Sequence, residues 1–140
     1  MPNQYGNLIP IVVSGATAGL SAATAADVQV IPVPFKCEVR RCAVVWQTTG
    51  AAQAIVEFDR RVLAGSDTGR VNIVAITKPA AENQGKYLYK DPATKVTLDA
   101  GDEIVVQVTD VEAAATFGVV ILLDEIPEVA ANQGDMVASA

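Results

Sequence analysis

The stretch "VTLDAGDEIVVQV", residues 96–108, decides the fold. Val96, Leu98, Ile104, Val106 and Val108 share one parity, while Thr97, Asp99, Glu103 and Gln107 take the other. Successive side chains of a strand point to opposite faces, so this is the pattern of two half-buried strands flanking one bend. The bend is Asp99-Ala100-Gly101-Asp102. Asp bonds readily to nearby backbone and Gly tolerates positive φ, which is what a tight turn selects. Asp99, Asp102 and Glu103 together also resemble an oxygen-ligand set for a hard cation. The alternating acids of a calcium loop are missing, however, and the turn is the stronger reading.

Outward from this pair the punctuation repeats every eight to twelve or so residues, the rhythm of an all-β sandwich or barrel. The pattern predicts strands at Leu8–Val13, Val28–Val33, Cys37–Gln47, Ala54–Val62, Val71–Thr77, Lys86–Lys90, Lys95–Leu98, Glu103–Val111 and Thr116–Glu125. Within Cys37–Gln47 the phase slips: Cys37 and Val39 are in step, then Cys42, Val44 and Trp46 on the opposite parity. A bulge or break at Arg40-Arg41 accounts for it. The segment 14–27 is small-residue and Gly-punctuated without a period, and reads as an extended loop. Residues 126–140 open with Ile-Pro and continue mostly small or polar. The organisation that follows is an arm with a first strand and loop (1–27), a β-sandwich (28–125) and a C-terminal arm (126–140).

Composition narrows the function. The 140 residues suffice for one domain with a real core, and at 51% apolar and 19% charged the body is not intrinsically disordered. No apolar run reaches membrane-spanning length, and MPNQYGNLIP lacks the basic-then-apolar order of a secretion signal. The expectation is a protein made in a cytoplasm with no membrane partner. A net charge of −6 opposes nucleic-acid binding, which requires a basic surface. The chain has no histidine, which removes the commonest general base, the usual nucleophile triads and most zinc sites. No phosphate-cradling loop or paired catalytic carboxylates are found, so no catalytic residue, metal or cofactor is assigned and the expectation is a non-enzyme.

The remaining candidates concern surfaces. Cys37 and Cys42 read as two free buried thiols, too far apart along a strand to bridge. The five arginines, Arg40, Arg41, Arg60, Arg61 and Arg70, are read as surface pairs with Glu38, Glu57 and Asp59, the first four on neighbouring strands of one hairpin. Tyr5, Tyr87 and Tyr89 are the only aromatic groups that could stack on a sugar. Val119–Leu123 is apolar on both parities, so it is either covered on both faces or its outer face meets another subunit. The interface is assigned to Val119, Ile121 and Leu123.

"VTLDAGDEIVVQV" followed by "ATFGVVILL" resembles the last two strands of trimeric jelly rolls of the tumour-necrosis-factor and complement-globular type, through Leu98, Gly101, Asp102, Phe117, Gly118, Leu122 and Leu123. Upstream, "VIPVPFKCEVRRCAVVWQTTGAAQAIVEF" resembles the opening of jelly-roll domains in structural proteins of tailed bacteriophages, and "DEIPEVAANQGDM" is similar to tails of small phage head proteins. The resemblance implies a jelly-roll β-sandwich of roughly eight strands with extended arms. It further implies a homotrimeric decoration, or cement, protein on the exterior of a virion, with the major capsid protein as partner. In that role the arms contact the shell through Asn3, Tyr5 and Leu8 on one side and Ile126, Pro127, Val129 and Met136 on the other. The alternative is a glycan- or receptor-binding module of a head fibre or tail tip.

Overall fold

The computed structural model describes residues 8–14, 19–62, 70–81 and 86–127. Among them there is no helix. The strands are β1 (Leu8–Val13), β2 (Leu20–Ser21), β3 (Asp27–Pro32), β4 (Cys37–Thr48), β5 (Ala54–Arg61), β6 (Val71–Lys78), β7 (Tyr87–Lys90), β8 (Thr97–Leu98), β9 (Glu103–Asp110) and β10 (Thr116–Glu125). β1 and β10 have the bounds expected from the sequence, and the other expected strands differ by one or two residues at an end. β2 is the addition: two residues of the small-residue segment pair with the start of β10.

The strands form two antiparallel sheets. One runs β1-β10-β4-β7, with β2 attached to β10 and β8 to β4, and the other runs β3-β9-β5-β6. Apart from β5 and β6, neighbouring strands are not consecutive in the chain, so the chain crosses repeatedly between the sheets, and the fold is an all-β jelly roll. β4 and β5 lie in opposite sheets, so Arg40-Arg41 and Arg60-Arg61 do not sit in one hairpin. Alternation alone does not say which sheet a strand joins.

The two inner faces supply the core. Trp46, Phe58 and Phe117 are fully buried in it together with Ile104, Ile121, Leu98 and Leu123. Trp46 and Phe117 meet in a tilted pair with centroids 5.2 Å apart, a favoured geometry for aromatic quadrupoles.

The bulge expected in β4 is present. Leu122 pairs with Arg41 and Leu123 with Val39, leaving Arg40 as the extra residue. That one residue restores phase, so Cys37 and Val39 face the core alongside Cys42, Val44 and Trp46. Both cysteines are buried and free. Burial pushes the Cys42 thiol up to about 12 and the Cys37 thiol up to about 11.

Each end of the core is closed by an ion pair. At the end reached by Thr48, the wholly buried Lys78 Nζ lies 2.8 Å from Glu112 Oε2 and donates to the Ala52 carbonyl at 2.6 Å. Glu112 in turn accepts from the Gly50 amide. At the other end Arg60 reaches the buried Asp102 at 3.3 Å. The Asp99–Asp102 stretch is a turn. The Asp102 carboxylate accepts from the Asp99 amide at 3.0 Å, Gly101 takes φ +93°, and the Gly101 amide donates to the Val33 carbonyl at 2.7 Å. Asp102 is therefore committed to its own turn and to Arg60.

Candidate interaction surface

The outer faces of the two sheets differ in chemistry. On the β3-β9-β5-β6 sheet, Arg70 donates to Asp27 at 2.7 Å, to Asp59 at 2.8 Å and to Gln107 at 3.1 Å, and Asn72 donates to Asp59 at 3.0 Å. Arg61 pairs with Glu103 at 2.8 Å on the same face. The hydrogen bond from Arg70 holds the Asp27 carboxyl below the usual carboxylate range. Glu57 is raised by its own burial and by the nearby Asp59. A face whose charges are bonded to one another across four strands is a finished, water-facing surface.

Of the partners expected for the arginines, Asp59 is held by Arg70 within this network. Arg40 and Arg41 instead reach Asp124 at 3.0 Å and Asp91 at 2.7 Å.

The outer face of the β1-β10-β4-β7 sheet carries an apolar row, with the Arg40–Asp124 and Arg41–Asp91 pairs beside it. Strand register places Val12, Val120, Ala43 and Tyr89 side by side in one row across all four strands. Pro10 and Leu122 are neighbours in a second row. Val12, Tyr87 and Tyr89 are exposed by 67%, 45% and 54%, three of the five large apolar side chains left this open among the described residues. The tyrosine rings lie 5.9 Å apart, and the Arg41 guanidinium stacks 3.9 Å above Tyr89 while it holds Asp91 in a two-pronged bond. That bond keeps the Asp91 carboxyl below its ordinary range.

Val119, Ile121 and Leu123 do not lie on this face. They are buried inside the sandwich, where Val119 pairs with Val44 and Ile121 with Cys42. The assignment of an interface to them is corrected: the outward residues of the same strand are Val120 and Leu122. One signal in the sequence points the right way. Phe117 shares the parity of Val119, Ile121 and Leu123, and an aromatic residue on one parity of an otherwise uniform strand marks the core side.

A cavity of about 390 Å³ opens where this face meets the loop after β7. Leu8, Leu122, Pro92 and Ala93 form its apolar wall, and Arg40 and Lys95 stand at its rim. Lys95 is 68% exposed and is 3.9 Å from Glu38, so it is loosely held.

Of the arm residues, Asn3, Tyr5, Val129 and Met136 lie outside the described residues. Leu8 belongs to β1, Ile126 is half-buried with its amide bonded to the Lys36 carbonyl at 2.9 Å, and Pro127 is exposed. Leu8 pairs with Asp124, so the chain enters and leaves this sheet at the same end of the sandwich.

A scan against protein-family models finds no match, and a sequence search of curated proteins finds none either. Solved structures do match. The Eiger tumour necrosis factor of S. frugiperda superposes with a TM-score of 0.58 at 12% identity, covering 88% of this chain and 95% of that one. Murine APRIL at pH 8.5 gives 0.53 at 9% identity, covering 85% of this chain and 99% of that one. The tobacco streak virus coat protein dimer gives 0.35 at 13% identity, covering 92% of this chain and 91% of that one. At these identities the likeness shows the fold alone, an all-β jelly roll, and the function has to be argued from the surfaces.

Proposed function

We propose that this protein is a decoration, or cement, protein of a viral head, a non-enzymatic binder on the outside of the shell that acts as a homotrimer. The observation that carries the reading is the two-sidedness of the sandwich. One outer face is a closed ion-pair network suited to water, and the other is an apolar row across four strands suited to a second copy of the chain. Three-fold closure comes from the resemblance to trimeric jelly rolls.

The rigid sandwich fixes the geometry, and the arms, Met1–Pro10 and Ile126–Ala140, reach the neighbouring capsid subunits. Contacts to several subunits from one trimer resist shell expansion by avidity, because once one arm is bound the others bind at a high effective concentration. An acidic exterior protein is also kept away from packaged DNA by charge. The bacteriophage assignment rests on the resemblance of residues 30–58 and 124–136, with assembly in the bacterial cytoplasm.

Copy number tests the reading: this chain is quantified against the major capsid protein in purified particles. One copy per capsid subunit, or one trimer per three-fold position, is the expected result. Removal of Ile126–Ala140 is expected to leave a folded domain that no longer saturates the shell. Absence from particles, or full occupancy after that deletion, counts against the reading.

The exposed Tyr87–Tyr89 pair favours a second reading, a glycan-binding module of a head fibre or tail tip. That reading predicts a few copies per particle and a positive glycan array that Tyr89→Ala abolishes.

A further inference from the structure

One end of the sandwich is tied together by two side chains. We propose that the buried Lys78–Glu112 pair is a clasp. It joins four segments, 22–26, 49–53, 79–81 and 111–115, into one unit that opens cooperatively while the two sheets stay paired.

The bonds among these segments converge on the pair. Lys78 is the last residue of β6, opposite Ala54 at the end of the β5–β6 ladder. Its wholly buried Nζ donates to the Ala52 carbonyl at 2.6 Å and to the Pro79 carbonyl at 3.2 Å, and lies 2.8 Å from Glu112 Oε2. The other Glu112 oxygen accepts from the Gly50 amide. The Glu112 amide donates to the Ala22 carbonyl at 2.9 Å, and the Ala22 amide donates to the Ala115 carbonyl at 2.9 Å. The Ala81 amide closes the set on the Ala51 carbonyl at 3.0 Å.

Composition makes these segments depend on the pair. Gly50, Ala51, Ala52, Ala81, Ala113 and Ala114 carry at most a methyl group, and all but Gly50 are exposed. Side chains so short and open bury little apolar area, so burial does little to hold these loops to the core. Segments with few buried apolar contacts open at lower free energy than the sheets beside them. Lys78 and Glu112 cannot let go singly, because each would be left a buried, unpaired charge. Release of one requires release of both, and with them Gly50, Ala52 and Pro79. That shared requirement makes the opening cooperative.

The other end is held differently. There the amides of Val33, Val39, Gly101 and Ile126 bond to main-chain carbonyls, and the ion pair, Arg60–Asp102, has an arginine side chain 33% exposed. Water can replace the partner of such a cation at small cost, so this pair locks nothing else in place.

Amide hydrogen exchange of the full chain, resolved by residue, tests the clasp. In wild type the amides of Ala22, Ala81, Glu112 and Ala115 are expected to share one opening free energy, below that of the strand amides. Gly50→Ala keeps both charges but places a Cβ 2.6 Å from Glu112 Oε1, which pushes the carboxylate away. Lys78→Met combined with Glu112→Leu removes the pair without stranding a charge. Neither change alters the carbonyls to which Ala22, Ala81 and the amide at position 112 are bonded. In both variants those amides are expected to exchange about tenfold faster or more, by a common factor, the scale of one lost charged hydrogen bond. Val33, Val39, Gly101 and Ile126 are expected to exchange as in wild type.

Acceleration confined to Gly50 would mean that the loops move independently, and overturns the proposal. Equal acceleration at both ends makes the pair a general stabiliser and overturns it too. So do wild-type amides that open at scattered free energies or only with global unfolding, a result that holds even where a variant fails to fold. The clasp belongs to the isolated chain, so its failure leaves the decoration reading standing.

Discussion

Two buried residues carry the clearest consequences at the scale of single side chains. Lys78 and Glu112 are sealed in the core end, each the other's charge partner. A buried charge left without its partner costs far more than an exposed pair ever contributes, so Lys78→Met alone is expected to destabilise the fold by about 3–5 kcal/mol. Lys78→Met combined with Glu112→Leu is expected to recover most of that loss, because replacing a buried pair with apolar groups removes both desolvation penalties. Urea unfolding followed by the sole tryptophan, Trp46, measures both variants. Equal destabilisation by the single and double changes would show that the pair acts through packing rather than charge.

The cysteines give a second expectation. Cys37 and Cys42 are held protonated by burial, with pKa values near 11 and 12, so the thiolate is scarce at neutral pH. An aromatic disulfide reagent is expected to find no reactive thiol in the native protein and two in urea. The sign for stability follows. A thiol whose folded pKa is raised favours the fold below the unfolded value of 9.0 and withdraws that support as pH climbs from there toward the folded values.

At the scale of elements, acid acts through the outer network of the β3-β9-β5-β6 sheet. Asp27 is depressed below its ordinary 3.8 by its hydrogen bond to Arg70. A depressed carboxylate stabilises the fold above its unfolded pKa, and that support is lost as pH falls through the folded value. The wild-type melting temperature is thus expected to drop as pH falls through and below the ordinary carboxylate value of 3.8, and Arg70→Ala is expected to flatten that acid limb while lowering stability at neutral pH. Parallel acid limbs for the two proteins would show that Asp27 titrates independently of Arg70.

Elements also show what the sequence made legible. Strand positions and the slip at Arg40 could be read because they depend on alternation along one segment, which a single chain displays directly. The side of β10 that faces the core is harder to read, because Val119 to Leu123 is apolar on both parities and only the parity of Phe117 marks it before the pairing with Cys42 and Val44 decides. β2 escaped notice because two residues have no period. The Lys78–Glu112 pair joins positions far apart in sequence through a jelly-roll crossing, and Arg41 finds Asp91 in the same way. No local pattern announces a partner across the sandwich.

For the whole molecule the decisive question is whether the apolar outer face is covered by another copy. Val12 and Tyr89 lie at opposite margins of one row, on the two edge strands of the sheet, with Val120 and Ala43 between them. A charge placed at either margin makes no conflict inside the isolated sandwich, since both side chains point away from the core and are more than half exposed. Inside an interface the same charge is buried without a partner and costs several kcal/mol. Val12→Glu and Tyr89→Glu are therefore expected to keep the monomer fold, with a melting curve still cooperative, while converting a trimer in sedimentation velocity into monomers. Val111→Glu serves as the control: Val111 is also exposed, at 43%, but follows β9 in the other sheet, so its charge is expected to leave the trimer intact. A wild-type chain that sediments as a monomer would leave this face to the shell itself. Trimers that persist in both Glu variants would move the contact between copies away from the β1-β10-β4-β7 sheet, and with it the physical basis for a three-fold cement.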